Sequence, residues 1–153
     1  MNNVQTVGSR IPAISPEAVG KVEALADFAR EAPQYPIETE HVIHGGMYCR
    51  TIMLPAGYIL TGTLVKVPTL LTINGCVTVY LGDEGSAEIA GHAVLPASAG
   101  RKQAFVSHTY TYISMVFSTD ARSIEAAEAE MTDEADILIS RSIGTNTIVI
   151  TEE

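Results

Sequence analysis

Apolar and polar positions divide the chain into a helical start, a β-rich centre and a mixed end. Apolar residues recur at helical spacing between 16 and 31, which predicts a helix there, preceded by an irregular arm over 1–14. Ser15 is suited to cap this helix and Pro16 to begin its first turn. Pro33 cannot continue it and starts an extended segment.

The centre, from His41 to Phe117, consists of short runs of β-branched and aromatic residues broken by Gly, Pro and Asn. These runs predict strands near 46–54, 58–66, 69–74, 76–81, 86–90, 92–95, 103–109 and 111–118. Asn74-Gly75 predicts a hairpin turn because both residues tolerate positive φ. The run from Gly82 to Gly85 predicts the next turn. Many short strands at this spacing favour a sandwich or a barrel.

The end of the chain predicts a second helix from Ser123 to Glu134, with Thr119 or Asp120 as its cap. We expect its glutamates to form a solvated acidic face, and these are Glu125, Glu128 and Glu130. Apolar runs over 137–139 and 147–150 predict a hairpin outside the barrel. Because exposed strand edges attract partners, this hairpin is expected to dock on the barrel or on a neighbouring chain.

Composition agrees with one compact domain. The chain has 153 residues, of which 46% are apolar and 18% charged, so a core is available without metals or disulfides. We divide it into an N-terminal arm and helix over 1–36, a β-barrel over 37–119, and a C-terminal helix and β-hairpin over 120–153. Cys49 and Cys76 fall in predicted strands and are expected to be buried, reduced thiols.

Charge and hydropathy argue against several classes of partner. The net charge is −9 with only nine basic residues, whereas binding to nucleic acid requires clustered Lys and Arg. No apolar run approaches the roughly 20 residues that span a bilayer. The segment Met1–Pro12 lacks the basic and apolar regions of a signal peptide, so secretion by that route is not expected.

One stretch has the frame of a metal-binding motif but lacks the ligands. Between Gly57 and Gly75, the positions resembling the two histidines and the carboxylate of the first cupin motif are Thr63, Val65 and Thr69. The run Pro96–Gln103 resembles the second motif and places Gln103 where a further histidine would stand. A divalent transition metal requires imidazole, carboxylate or thiolate donors. The sequence therefore predicts a protein without a metal or other cofactor, and not an enzyme.

A relocated metal site stays open as an alternative, using His44, His92 or His108. His41 and His44 are near each other in sequence, but close residues on an extended segment diverge. Hydrogen-bonded structural histidines are the favoured interpretation. The pair Arg101-Lys102, beside Gly100, either receives an anion or, as we expect, forms a rim ion pair.

The segment from about His41 to Arg141 resembles a family of small cupin-like, RmlC-type jelly-roll proteins of tailed bacteriophages. The residues that carry the resemblance are His44–Arg50, Leu54–Gly57, Leu60–Gly62, Asn74-Gly75, Pro96 with Gly100–Lys102, and Glu134–Arg141. The resemblance implies a mainly β, cupin-type jelly-roll barrel with an N-terminal helix, a C-terminal helix and a terminal β-hairpin.

Three functions follow as hypotheses. The first, implied by the resemblance, is a non-enzymatic virion structural or accessory protein that binds itself and other virion proteins. The second is a small-molecule-binding module, in which the barrel mouth offers Arg50, Thr63, Thr69, Gln103 and the tyrosines as hydrogen-bonding groups. The third is a residual cupin enzyme, an isomerase or dioxygenase, that uses the relocated histidines.

Overall fold

The computed structural model describes residues 10–153 of the chain. Its strands are β1 Glu38–His44, β2 Met47–Leu54, β3 Ile59–Val65, β4 Thr69–Tyr80, β5 Ser86–Ala97, β6 Arg101–Ser107, β7 Thr111–Ser118 and β8 Thr145–Ile150. Its helices are α1 Pro16–Arg30, α2 Ile124–Met131 and α3 Ile139–Ser142, with short 3₁₀ turns at Gly82–Glu84 and Ala135–Ile137.

The strands form one curled sheet whose connectivity is that of a jelly roll. The order is β3-β6-β4-β7-β2-β1-β8, and β5 pairs with β4 along its whole length. The first part of β4 pairs with β7 and its last part with β6, so β4 crosses from one half of the barrel to the other. Strands β3 and β6 therefore belong to one half of the barrel, and β7, β2, β1 and β8 to the other. The predicted mainly β, jelly-roll fold is confirmed.

The predicted hairpin at Asn74-Gly75 is wrong, because these residues lie inside β4, where Gly75 pairs with Gly91 of β5. Gly75 has a φ of 141°, and a Cβ atom there would come within 2.9 Å of Thr111 Cα. Glycine therefore lets β4 bend and approach β7 closely at the crossing between halves. The predicted strands on each side of this glycine are two parts of β4, and those on each side of Gly91 are two parts of β5. The predicted turn at Gly82–Gly85 is confirmed.

The two main helices follow their local signals to different extents. The predicted start of α1 is confirmed, since Ser15 Oγ accepts a hydrogen bond from the Ala18 N–H at 3.1 Å. Helix α2 is shorter than predicted, and its cap is Ser123, not Thr119 or Asp120. It ends because Thr132 returns to the extended conformation.

The C-terminal β-hairpin is also wrong. Residues 137–139 belong to a 3₁₀ turn and the start of α3, and Leu138 is buried over the barrel. Strand β8 instead pairs in parallel with β1, from Thr145 opposite Glu38 to Ile150 opposite Ile43. Strand β1 was not predicted, because only Val42 and Ile43 of its seven residues are apolar. A short apolar run alone does not distinguish a strand from a helical turn.

The core lies between the two halves of the barrel and under α2. Its fully buried members include Tyr48, Leu54, Ile73, Val77, Val79 and Ala127. Cys49 and Cys76 are free but only half-buried, so the prediction of full burial is wrong. Among residues 10–153, no helix is long and apolar enough to cross a bilayer.

Candidate functional site: a cavity in the barrel

A cavity of about 620 Å³ lies between the two halves of the barrel. One wall comes from β2, β4 and β7 and includes Ile52, Leu71, Ile113 and Met115. The opposite wall comes from β3 and β6 and includes Leu60, Thr63, Val65, Gln103 and Phe105. The side chains of alternate residues on each strand point into this space, so the surface is mostly apolar.

Two segments outside the barrel partly cover the cavity. The C-terminal end of α1 and the following loop contribute Phe28 and Tyr35, which are 77% and 64% exposed at the mouth. The last residue of α2 and the chain after it contribute Met131 and Leu138, which are buried. The cavity therefore has a packed side under the C-terminal segment and an open, apolar side beside α1.

A buried ion-pair cluster joins the barrel to α2. Arg50, on β2, is only 4% exposed, and its Nη1 donates to Glu128 Oε2 at 2.9 Å. Arg141 donates to the other oxygen of Glu128 at 3.0 Å from Nε and 2.9 Å from Nη2. Arg50 Nη2 also donates to Ser140 Oγ at 2.7 Å. One carboxylate therefore serves two guanidinium groups, which is the arrangement that such a buried charge requires.

This cluster corrects the prediction of a solvated acidic face on α2. Glu125 and Glu130 are exposed, but Glu128 is only 2% exposed. Ile124, Ala127 and Met131 are buried on the same side of the helix. Positions 124, 127, 128 and 131 follow the spacing of one helix face. That spacing was the available sequence signal that Glu128 faces the barrel.

His41 is a structural residue beside this cluster. Its Nδ1 lies 2.7 Å from the Tyr48 hydroxyl and its Nε2 lies 2.8 Å from Asn146 Oδ1. Burial lowers the pKa of His41 below its usual 6.5, and burial raises the pKa of Tyr48. Tyr48 in turn lies 3.5 Å from Arg50 Nη1. These hydrogen bonds link β1, β2 and β8 and leave no free ring nitrogen on His41.

Lys102 forms a second ion pair at the barrel rim. Its ammonium group is 3.1 Å from Glu134 Oε2 and 3.8 Å from Glu23 on α1. Glu134 also accepts from the Leu64 N–H at 3.1 Å. Burial by itself raises the pKa of Glu134, but the Leu64 N–H and Lys102 outweigh it and lower that pKa. The rim ion pair expected for this region is present at Lys102.

Arg101 does not behave as a rim residue. It is 0% exposed, and burial lowers its pKa to about 10. Its Nη1 donates to the Ser98 carbonyl at 2.8 Å and its Nη2 donates to Thr69 Oγ1 at 2.7 Å, while Met115 Sδ lies 3.5 Å away. Within residues 10–153, no carboxylate lies within 4 Å of it, and its Nε has no partner. Arg101 is thus a buried cation held by neutral groups.

Three of the four predicted binding residues line the cavity: Arg50, Thr63 and Gln103. Thr69 is buried but bonds to Arg101 behind the wall and does not line the cavity. The Nε2 atom of Gln103 is buried without a hydrogen-bond partner in the described part of the chain. Of the tyrosines that the second hypothesis offered, Tyr35 and Tyr58 line the cavity, and Tyr48, Tyr80, Tyr110 and Tyr112 do not.

The remaining histidines lie apart, each with its own neighbour. His44 bonds to Thr151, His92 to Asn74 and His108 to Thr78. Over residues 10–153, no three His, Cys, Asp or Glu side chains come together as a metal site would need.

Several lining residues were not predicted. They are Phe28, Phe105, Met115 and Met131. They come from four separate elements, α1, β6, β7 and α2, and their apolar character is that of any core residue. Apart from the helical spacing of Met131, no local signal marks them as facing a cavity.

Comparison with solved structures finds cupin proteins. A cupin superfamily protein from Desulfitobacterium hafniense is 13% identical with a TM-score of 0.48, covering 58% of this chain and 83% of that one. An RmlC-like cupin with a double-stranded β-helix fold, from Methanocaldococcus jannaschii, is 14% identical with a TM-score of 0.47, covering 57% and 84%. A cupin domain of an XRE-family transcriptional regulator from Enterobacter cloacae is 13% identical with a TM-score of 0.39, covering 46% and 80%.

No protein-family model matches the chain, and no curated protein matches it significantly. The jelly-roll assignment rests on the strand pairing of this chain, and no activity is carried over from the three proteins above. None of the three is described as a bacteriophage protein, so the finer resemblance to phage proteins stays a prediction.

Proposed function

We propose that this protein binds one small organic molecule in the barrel cavity and acts without catalysing a reaction. The observation that carries the proposal is the cavity itself, a mostly apolar space of about 620 Å³ with the Gln103 amide in its wall, whose Nε2 has no hydrogen-bond partner among residues 10–153. Ligand sites typically have volumes of roughly 300–1,000 Å³, apolar linings and a few fixed polar groups.

The apolar lining of a cavity of this size is costly to expose to water, and a bound apolar ligand removes that surface from water. The unpartnered N–H of Gln103 adds to that cost, since a buried donor loses its hydrogen bonds to water. A ligand with an apolar body and one acceptor offsets both costs. Thr63, on the neighbouring strand, offers a second polar contact.

The ion pairs of the charged residues in the wall support binding without a reaction. Arg50 is held by Glu128, and Lys102 by Glu134. A general acid or base needs a proton that it can exchange near neutral pH, and cations fixed in ion pairs are poorly suited to that role. We therefore assign Arg50 and Lys102 to the framework of the cavity wall and not to proton transfer.

The test is titration with the neutral fluorescent probe N-phenyl-1-naphthylamine. We expect saturable binding of one probe per chain. Ile52→Trp places a larger side chain in the cavity and should weaken binding at least about tenfold, or about 1.4 kcal/mol. Val94→Trp is the matched control, because Val94 is exposed on the other side of the sheet.

Thermal melting of both tryptophan variants shows whether each one folds. The proposal is overturned if the wild-type protein does not bind the probe saturably. It is also overturned if a folded Ile52→Trp variant binds the probe as tightly as the Val94→Trp variant does.

Self-association is a second candidate function, favoured by β8. This strand is the end of the sheet, and Ile148, Val149 and Ile150 are about half exposed. It carries no charged residue, so two copies can pair edge to edge without repulsion despite the net charge of −9. A virion role would require such association.

Sedimentation of the wild-type protein and of Ile148→Lys tests self-association through β8. A wild-type protein that is a monomer at micromolar concentration would contradict the self-association.

A further inference from the structure

We propose that the cavity selects an amphipathic monocarboxylate, a molecule with one carboxylate and an apolar body. This inference rests on the proposed binding function and names the class of ligand. It is carried by the excess of positive charge around the cavity, by the unpartnered Gln103 amide and by the apolar remainder of the wall.

The first step concerns charge. Three cations that are no more than 4% exposed lie in or directly behind the wall: Arg50, Lys102 and Arg101. Only two carboxylates that are not largely exposed accompany them in residues 10–153, and these are Glu128 and Glu134. Glu23, the third, is 57% exposed and 3.8 Å from Lys102. The site is thus electropositive in a chain whose net charge is −9.

Arg101 accounts for most of this imbalance. The guanidinium of Arg101 is fully buried. In residues 10–153 it donates hydrogen bonds to the Ser98 carbonyl and the Thr69 hydroxyl, which are neutral, and the nearby Met115 sulfur is neutral as well. Because Met115 lines the cavity, the guanidinium lies directly behind the wall. Charge interactions are stronger in such a poorly solvated environment than in water. An anion in the cavity would therefore be attracted by Arg101 without touching it.

The second step concerns the direct contact. Gln103 is two residues beyond Arg101 on β6, lines the cavity and is 7% exposed. Its Nε2 atom is a buried donor without an acceptor in residues 10–153. Thr63 lies on β3, the strand paired with β6, and also lines the cavity. An amide N–H and a hydroxyl both donate to a carboxylate oxygen, so these two residues suit a single carboxylate.

The third step concerns the rest of the ligand. Leu71, Phe105, Ile113 and Met131 present apolar surface, and Phe28 extends it to the open mouth. A sugar or a nucleotide would leave many of its polar groups without partners against this wall, which is costly. One carboxylate joined to an alkyl or aryl body matches both parts of the surface.

The experiment displaces N-phenyl-1-naphthylamine from the wild-type protein with three ligands of equal length, octanoate, octan-1-ol and octylamine, at about pH 8, where the acid is ionised. We expect half-displacement by octanoate at a concentration about tenfold below that for octanol, with octylamine weakest. Octanol is the more apolar molecule, so hydrophobic binding alone predicts the opposite order.

Two substitutions then test which residues cause the preference for octanoate over octanol. Gln103→Leu and Arg101→Met should each reduce the ratio of octanol to octanoate concentrations towards one. Arg122→Met, which removes an exposed arginine, should leave that ratio unchanged. Thermal melting shows whether each variant is folded. The affinity of each variant for the probe is measured first, so that both displacement concentrations of a variant are corrected with that variant's own probe affinity.

The outcomes separate the two proposals. If the probe binds but octanoate displaces it no better than octanol does, the carboxylate class is wrong and the binding function stands. If octanoate is preferred equally by wild type and by both folded variants, the assigned residues are wrong. If the probe does not bind at all, the proposed function fails as well.

Discussion

Two arginines face the interior of the same barrel, and their surroundings differ. Arg50 donates to the buried carboxylate of Glu128 and to Ser140, both supplied by the segment that covers the barrel. Arg101 is buried at least as deeply, yet its described hydrogen-bond acceptors are neutral. The fold itself neutralises the charge of Arg50, whereas no carboxylate of residues 10–153 lies within 4 Å of Arg101.

The different surroundings of Arg50 and Arg101 indicate that the first arginine stabilises the fold and the second serves ligand binding. A buried ion pair that joins two elements makes the position of α2 and α3 depend on charge, because breaking it leaves a charge unpaired. A buried cation without a counter-ion lowers stability and persists where it has a use, as at ligand sites. We therefore interpret Arg50 as part of the scaffold and Arg101 as part of the site.

The largest expected effect comes from Glu128→Gln. The substitution keeps the shape of the side chain but leaves Arg50 and Arg141 without their shared carboxylate. We expect a loss of about 3–5 kcal/mol in the free energy of unfolding, measured with urea. Glu125→Gln, on the exposed side of the same helix, should change it by less than about 0.5 kcal/mol. If the two substitutions changed the free energy of unfolding equally, the Arg50–Glu128 ion pair would not be part of the scaffold.

A smaller effect is expected for Arg101→Met in the absence of ligand. The variant loses hydrogen bonds to Ser98 and Thr69 but also loses the cost of a buried charge without a counter-ion. These terms oppose one another, and we expect a net change within about 1 kcal/mol. Arg50→Met should destabilise more, because it removes a satisfied ion pair. If Arg101→Met is the more damaging of the two by urea unfolding, Arg101 is a scaffold residue.

The smallest effect concerns pH and the Arg50 region. Because burial lowers the pKa of His41, the folded protein takes up this proton less readily than the unfolded chain does. The neutral His41 contributes fully to the free energy of unfolding above 6.5, the pKa of a histidine in the unfolded chain. That contribution is lost as the pH falls through the lower pKa that His41 has in the folded protein. Melting temperatures between about pH 8 and about pH 5 should fall less steeply in His41→Gln than in wild type. His92→Gln, which alters an exposed histidine, serves as the control.

Local signals were sufficient for the first helix and for the β-rich centre. The cap at Ser15 and the proline at position 16 act through neighbouring residues, so their effect is visible in the sequence. Asn74-Gly75 carries an equally strong local signal, yet it lies inside a strand. There the pairing of β4 with both β5 and β7 outweighs the turn preference, and Gly75 serves the close approach to Thr111 instead.

The candidate site was accessible from the sequence only in part. The motif frame pointed to Thr63 and Gln103 because strand alternation places such positions towards the barrel interior. The same frame placed Thr69 in the site, whereas the structure places it behind the wall, bonded to Arg101. Glu128 was expected in solvent because a glutamate ordinarily is, and its partner Arg50 lies 78 positions away.

By itself, the sequence determined the β-rich composition and the start of α1, and a resemblance between motifs predicted the jelly-roll class. These properties depend on residue type and on near neighbours. Only the tertiary structure decided which charges are buried, which of them are paired and where a cavity opens. Burial and pairing depend on contacts between residues far apart in the chain. Only when those contacts have formed does a charge lose its water and gain an ion-pair partner, so the sequence alone does not reveal which of the two energies is larger.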